Sequence, residues 1–381
     1  MKTSISKFLL LTLMGVWTAS CESLMHDDID ACPQGLVVDF IYDYNIERAD
    51  MFPDHVGSVT LFVYDKAGHL VRTQTEDNST TDQPLRQLGY RMKVDGLKPG
   101  EYQLVALAQQ RPYQQTAQES GVRYIRQTGE LLTDLNTQLN LMPDGTPATS
   151  ISQPLDTLWH GTLRSTSDLS TRADANTENT AQTVTVKEQR LTRCTMSLVR
   201  DTKRLHLSLR QLDDPAHCNI DDYDISITDQ NGRLLHDNSV DTEGTPLLTY
   251  QPFATWNTYY NPTTGSAAEQ RPDNPEAEET AHADIDFNRL MLRSADSNAA
   301  PAMLTIRLRA TGEEIVRINL PEMLAQGRGA FERTYYTPQG FLDRCYDYRL
   351  DFILKGNTWQ YVSLGIHTLP WALRIQNTQL Q

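Results

Sequence analysis

The sequence of 381 residues is poor in cysteine and in positive charge. Five cysteines are too few for a disulfide-dense miniprotein, and a chain of this length buries a core without such cross-links. Acidic residues outnumber basic ones by 49 to 34, which gives a formal net charge of −15. Because affinity for phosphate comes from clustered Lys and Arg, this balance argues against a nucleic-acid partner.

Sequence signatures of catalysis and metal binding are also missing. No G-x-S-x-G, H-E-x-x-H, Walker loop or G-x-G-x-x-G after a strand is present, and the nine histidines are dispersed singly. Neighbouring strand residues point to opposite faces, so we interpret His217-Cys218 as structural rather than as a thiolate with its base. Three acidic pairs match no calcium loop and are interpreted as solvated: Asp213-Asp214, Asp221-Asp222 and Glu278-Glu279. We expect no enzymatic activity, no cofactor and no metal.

An apolar run occupies residues 8–17, after two lysines and before Cys21. Its ten residues are too few to cross a bilayer, which takes roughly 20, so residues 1–20 are predicted to be a cleaved signal peptide. The cysteine directly after small residues resembles a bacterial lipobox, although Thr18 stands where that motif usually has Leu. We therefore predict that Cys21 is acylated and that residues 21–34 form a lipidated tether. Ordinary cleavage with an incidental Cys21 is the alternative.

Period-two hydrophobicity runs through most of the remaining chain and predicts half-buried strands. Helix is indicated only after Pro321, which suits a first helical position. Many short strands without interleaved helices predict an all-β fold of sandwiches. The alternating positions include Leu36/Val38/Phe40, Val59/Leu61/Val63, Tyr102/Leu104/Ala106, Leu205/Leu207/Leu209, Leu304/Ile306/Leu308, Val316/Ile318/Leu320 and Val362/Leu364/Ile366.

An internal similarity indicates two related domains. Residues 59–71 align with residues 223–235 at an offset of 164 positions, and each copy predicts a strand, an Asp-x-x-Gly turn and a second strand. Two unrelated hairpins are the alternative.

Polar stretches suggest where the domains begin and end. Residues 164–183 are rich in Ser, Thr, Asp and Asn, and residues 261–284 combine three prolines with acidic residues. Neither stretch can bury enough apolar surface to fold alone. The predicted domains are therefore 35–160, a flexible loop 161–183, and 184–381 with a polar insertion near 261–284. The pairing of Cys32, Cys194, Cys218 and Cys345 is left open.

Several segments, in order along the mature chain, resemble the FimB/Mfa2 family of fimbrial anchor lipoproteins of the Bacteroidales. They are the lipobox-like Cys21 and residues 32–45, 156–161, 191–193 and 341–352. The resemblance implies two transthyretin-like β-sandwich (Greek-key) domains in tandem. It also implies attachment to the lipid of the cell outer membrane through acylated Cys21, and residues 22–30 resemble the acidic signal of surface-exposed lipoproteins in the Bacteroides group.

The resemblance further implies a place at the base of a fimbria, with stalk pilins of similar fold as partners. Stalk subunits of that system polymerise when an extended donor strand enters a groove opened by removal of an amino-terminal strand. In such strand addition, backbone hydrogen bonds give affinity and alternate side chains give register. A lipidated subunit would terminate the polymer and hold it to the cell.

The alternative function is a surface lipoprotein that binds glycan or host protein. It would use the acidic loop or an aromatic cluster, although packing within the fold is the favoured interpretation of these rings. The cluster comprises Tyr250, Phe253, Trp256, Tyr259 and Tyr260.

Overall fold

The computed structural model describes residues 35–116, 123–139, 148–164, 183–243, 245–294 and 297–366. The predicted signal peptide, Cys21, Cys32 and the predicted tether lie outside these ranges. The strands are β1 (Gly35–Ile41), β2 (Ser58–Asp65), β3 (Leu70–Asp77), β4 (Arg91–Val94), β5 (Gly100–Gln109), β6 (Tyr124–Gln127), β7 (Asn136–Leu139), β8 (Ser150–Ile151), β9 (Leu158–Leu163), β10 (Thr183–Val186), β11 (Leu191–Arg200), β12 (Lys203–Gln211), β13 (Tyr223–Asp229), β14 (Arg233–Leu235), β15 (Val240–Asp241), β16 (Leu248–Tyr250), β17 (Ala254–Asn261), β18 (Ser266–Ala268), β19 (Glu278–Phe287), β20 (Met303–Leu308), β21 (Glu314–Asn319), β22 (Asp347–Lys355) and β23 (Thr358–Ile366). The helices are α1 (Phe52–His55), α2 (Tyr113–Thr116), α3 (Leu320–Gln326), α4 (Ala330–Tyr335) and α5 (Pro338–Arg344).

The first module is one sheet in the order β3-β2-β5-β9-β11-β1-β4, with β10 also paired to β5. Alternate residues of its strands face one core, in which Trp159 is fully buried and packs edge-to-face on Tyr42 with ring centroids 5.7 Å apart. The two end strands are bridged by side chains: Arg72 donates to the Asp95 carbonyl and Gln74 to the Lys93 carbonyl. These contacts occupy backbone groups at an edge that would otherwise be open.

The second module is a sandwich of two larger sheets around another core. One sheet has the order β18-β17-β19-β12-β22-β23 and the other β21-β20-β13-β16-β8, and a smaller sheet is β15-β14-β7-β6. Leu205, Leu207 and Leu209 of β12 point inward and are buried, as their alternation predicts. The predicted all-β fold with two sandwich modules is confirmed; in the first module a single sheet folds over its core, and its end strands β3 and β4 are bridged by side chains.

The boundary between the two modules, as strand pairing defines it, does not lie in the polar stretch 161–183. Strands β10 and β11 pair within the first module, so the passage to the second module comes at residues 201–203. Conversely, β7 pairs with β14 and β8 with β16, although both precede residue 160. The predicted domain limits 35–160 and 184–381 were drawn from composition. The observed strand pairs join residues far apart in sequence, which composition does not reveal.

The repeated Asp-x-x-Gly segment folds as a hairpin only in its first copy. There β2 pairs with β3, Gly68 takes a φ of +85°, and the Asp65 carboxylate accepts from the His69 amide at 2.8 Å. In the second copy β13 and β14 enter different sheets. The second copy thus has the predicted strand, turn and strand, but its two strands do not pair with each other, and buried Asp229 binds Arg293 at 2.6 Å.

The polar insertion near 261–284 is not one continuous loop, because it contains strand β18 and the start of strand β19. After β17 the chain turns at Gly265, forms β18 against β17, and returns in β19, which begins at Glu278. Ala281 and Ala283 face the core and are fully buried, while His282 and Asp284 lie on the outer face. The sequence pattern did not predict this part of β19, because its inward residues include Ala281 and Ala283 and alanine gives only a weak hydrophobic alternation.

The predicted helix at Pro321 is confirmed as α3, whose N-cap Asn319 accepts from the Glu322 amide. Helices α4 and α5 follow and were not expected from the sequence. The Thr337 side chain caps α5 by accepting from the Gly340 amide at 3.0 Å.

A buried charged network lies where the first module passes to the second. Lys203 is fully buried and donates to the carbonyls of Asp343 and Cys345, both at 2.9 Å. Arg289 binds the Asp343 carboxylate with two hydrogen bonds of 2.8 and 2.9 Å. Burial acts to raise the pKa of Asp343, but the Arg289 charge and hydrogen bonds outweigh it and hold the pKa below its usual value. The carboxylate is therefore ionised in the folded protein.

Arg289→Met should lower the free energy of unfolding by about 3–5 kcal/mol, because it leaves the Asp343 charge buried without its partner. The double variant Arg289→Met/Asp343→Leu should recover most of this loss. Arg317→Met is the control, because the Arg317–Glu314 pair is exposed and such pairs contribute about 0–1 kcal/mol. Urea denaturation measures all three, and equal losses for Arg289→Met and the control would contradict the assignment.

Candidate functional site

Strand β1, the first described element after the tether, is hydrogen-bonded on both sides. It runs parallel to β11, with Gly35 opposite Leu191 and Ile41 opposite Ser197. It runs antiparallel to β4, with Leu36 opposite Val94. The strand that leads from the tether is therefore an interior strand of its sheet.

The inward side chains of β1 are buried in the first core, in addition to the backbone hydrogen bonds that hold the strand in its sheet. Leu36, Val38 and Phe40 are 1%, 0% and 4% exposed, and Phe40 stacks on Phe52 with centroids 5.8 Å apart. Full burial of one such side chain contributes about 1.5–3 kcal/mol, so the three together contribute roughly 5–9 kcal/mol. This is comparable to the whole stability of a typical domain, about 5–15 kcal/mol.

The start of β1 requires glycine. Gly35 has a φ of +135°, and a Cβ there would lie 3.0 Å from the Val94 carbonyl oxygen. Cys21 precedes Gly35 by 14 positions, a contour length of at most about 50 Å. An acylated Cys21 would therefore keep the first module close to a membrane surface.

Strand β23, the last described element, lies at the edge of its sheet. In the part of the chain that the structure describes, it pairs with β22 alone. Its inward residues Val362 and Leu364 are only half-buried against the second core, and Trp359 packs edge-to-face on Phe352 at 6.1 Å. The chain thus leaves the described fold from a sheet edge.

The predicted aromatic cluster is divided by the fold. Tyr250 is fully buried and donates to Asn231, whereas Phe253 lies under the Arg204 guanidinium at 4.8 Å. Trp256 and Tyr260 share the outer face of β17 and are 40% and 44% exposed. The sequence alone could not separate the packed rings from the exposed ones.

The three cysteines of the described ranges pack against the two cores. Cys194, Cys218 and Cys345 are free, and burial raises the pKa of Cys194 and of Cys345 to about 12. The Cys218 thiol donates to the Leu209 carbonyl at 3.3 Å, and burial raises its pKa as well. A thiol kept protonated is a poor nucleophile, which favours the structural interpretation of His217-Cys218. The two residues lie between β12 and β13, however, and not on a strand as expected.

One acidic pair is not solvated as expected. Glu279 is 3% exposed within β19, where its carboxylate accepts from the Cys218 amide and the Tyr259 hydroxyl, both at 3.2 Å. Asp213, by contrast, accepts from the exposed Gly356 amide at 3.0 Å.

Across the described ranges, no three His, Cys, Asp or Glu side chains are grouped to hold a metal ion. Nor does any helix within those ranges have the length and hydrophobicity to cross a membrane.

Sequence analysis missed the Lys203–Arg289–Asp343 network and the interior position of β1. Neither has a local signature, since the charged partners are more than 50 positions apart and β11 follows β1 by some 150. Asp343 did lie within a segment that carried the family resemblance.

Comparison with known proteins decides the family. Residues 29–377 match the family described as fimbrillin-A associated anchor proteins Mfa1 and Mfa2. The chain belongs to the Mfa2 family. The search of curated proteins found no match to this chain.

Solved structures share the Mfa2-family fold. A proposed adhesin from Bacteroides thetaiotaomicron is 25% identical with a TM-score of 0.65, and the match covers 88% of this chain and 96% of the adhesin. A proposed polysaccharide-binding protein from the same organism is 25% identical with a TM-score of 0.62, covering 89% and 99%. The fimbrial anchor protein Mfa2 from Porphyromonas gingivalis is 18% identical with a TM-score of 0.54, covering 89% and 100%.

Phe40→Ala should lower the free energy of unfolding by about 3–5 kcal/mol, because it leaves a cavity where β1 enters the first core. Ile41→Ala is the matched control, since Ile41 is the next residue, faces the other side of the sheet and is only half-buried. Its expected cost is about 1 kcal/mol. Denaturant titration measures both, and a Phe40→Ala protein as stable as wild type would show that β1 is not part of the core.

Proposed function

We propose that this protein is a lipid-anchored fimbrial subunit that attaches a fimbria to the outer membrane and terminates or limits its polymerisation by β-strand complementation with a stalk pilin. The observation that carries the proposal is the position of β1, paired on both sides and buried along one face. Membership of the Mfa2 family supports the fimbrial role.

Attachment would come from acylated Cys21. The lipobox-like sequence places this cysteine directly after the predicted signal peptide, and two acyl chains or more hold a protein stably at a membrane. The tether then leads directly into β1. A pull on the fimbria would therefore be resisted by the β1–β11 and β1–β4 ladders.

Termination follows from the cost of displacing β1. A stalk pilin accepts a donor strand in a groove left by the loss of its amino-terminal strand. In this chain the corresponding strand would have to leave two ladders and uncover three buried side chains, at roughly 5–9 kcal/mol from the side chains alone. A subunit that keeps β1 cannot accept a donor strand, and the polymer ends there.

Donation to a stalk pilin would use the chain after β23. In the sequence, Trp371, Leu373 and Ile375 alternate with Ala372 and Arg374, a pattern that predicts a strand with one apolar face; these residues lie outside the described ranges. Within the described ranges β23 is an edge strand, and this segment follows it in the sequence. A subunit able to donate a strand and unable to accept one occupies the end of a polymer.

Cys21→Ala should release the protein and its fimbriae into the medium, because the lipid anchor is lost. Fractionation followed by immunoblotting measures the distribution. Cys194→Ala is the control, since this thiol belongs to the first core and not to the anchor. Retention of the Cys21→Ala protein and of the fimbriae in the membrane fraction would refute lipid anchoring.

Trp371→Asp/Leu373→Asp should abolish co-purification of stalk pilins while the protein stays in the membrane fraction, because charges cannot enter an apolar groove. Ala372→Asp/Arg374→Asp changes the other face of the same segment and should retain the pilin. Equal pilin yield from both double variants would exclude this segment as the donor.

A further inference from the structure

Trp256 forms an exposed aromatic platform on the outer face of the second module. It stands on β17, and its indole stacks on the His282 imidazole of β19 with centroids 5.1 Å apart and ring planes at 9°. Strand β18 pairs with β17 only from Tyr259 to Asn261. At Trp256, β17 is therefore the margin of the sheet in the described ranges, and the ring is 40% exposed.

The stack is held in one orientation by its surroundings. The His282 ring nitrogen Nε2 shares a hydrogen bond of 2.7 Å with the Thr258 hydroxyl. Burial lowers the pKa of His282, and the charges of Arg210 and Arg349 lower it further, so the ring is neutral at neutral pH. A pre-oriented aromatic ring loses little conformational freedom when a ligand binds.

Hydrogen-bonding groups extend from this stack across the sheet. Pairing places Trp256, His282, Ser208 and Asp351 in one row over four strands. The Ser208 hydroxyl donates to Asp351, and Arg349 contacts the same carboxylate at 3.0 Å. The row combines an aromatic face with hydroxyl, imidazole and guanidinium groups.

The charges of this face are already compensated. Arg204 binds Asp286 at 2.6 and 2.9 Å. His206 lies between Asp284 at 2.6 Å and Asp347 at 3.0 Å, and these hydrogen bonds raise the pKa of His206 to about 9. Because Arg204, His206 and Arg349 each have a carboxylate partner and the chain is acidic overall, the face does not favour a polyanion.

The exposed rings are also too sparse for the centre of a protein interface. Trp256 and Tyr260 are four strand positions apart, about 13 Å, with polar Thr258 between them. Interface cores are contiguous, apolar and fully buried on binding. A pyranose ring offers one apolar face for stacking and a rim of hydroxyl groups, and it matches both the platform and the polar row.

We propose that the outer face around Trp256 and His282 binds a neutral oligosaccharide, with one sugar stacked on Trp256 and the next residues along the polar row. This activity is separate from anchoring, since it uses neither Cys21 nor β1. It would give the base of a fimbria its own contact with neutral surface polysaccharide.

The test uses the full chain carrying Cys21→Ala, purified as a soluble protein. An array of neutral oligosaccharides from glucans, mannans, xylans and galactans is screened beside uronate-containing and sialylated ones. The tightest neutral ligand is then titrated by calorimetry into the parent protein, Trp256→Ala, Trp256→Phe and Tyr335→Ala. Tyr335 is the control because it is 54% exposed on helix α4, where its ring contacts Phe331, which in turn lies against Arg48.

We expect saturable binding of a neutral oligosaccharide that weakens about tenfold or more in Trp256→Ala. Trp256→Phe should retain most of the affinity and Tyr335→Ala all of it, with thermal midpoints unchanged. No neutral ligand, binding of acidic glycans only, or equal affinity for Trp256→Ala would overturn the proposal. Membrane fractionation of Trp256→Ala in an otherwise native chain reports anchoring separately.

Discussion

The structure depends on one strand being held from two sides. Strand β1 forms a parallel ladder with β11 and an antiparallel ladder with β4, and its inward residues complete the first core. Removing β1 would expose the edges of two strands and three large apolar side chains at once. Since the tether enters this strand directly, the proposed membrane attachment and the stability of the fold share the same seven residues.

The first and last described strands thus have opposite positions in their sheets. Strand β1 is an interior strand, paired on both sides. Strand β23 is, within the described ranges, an edge strand with half-buried inward side chains. Between them, buried Lys203, Arg289 and Asp343 tie the passage between modules to α5, and strands β7 and β8 pair with strands of the second half. The two modules are therefore joined by buried hydrogen bonds and by strand pairing.

Local pattern predicted much of this fold, because period-two alternation in β1, β2 and β12 depends only on which residues face the core. The pattern failed where inward residues were small, as in β19 with Ala281 and Ala283. It also failed where pairing was distant: nothing near Gly35 indicates that Leu191 will lie opposite. The lipid site at Cys21 is a prediction from sequence, while the exposure of Trp256 and the burial of Tyr250 needed the fold.

Hydrogen exchange of the β1 amides tests the central claim most directly. The mature protein is measured alone and after addition of excess stalk pilin, with the interior strand β5 as an internal reference. If β1 is permanently seated, residues 36–41 exchange as slowly as β5 and remain equally slow when the pilin is present. Fast exchange of β1 in the free protein, or its loss of protection when pilin binds, would show that the strand is replaceable and that termination has another cause.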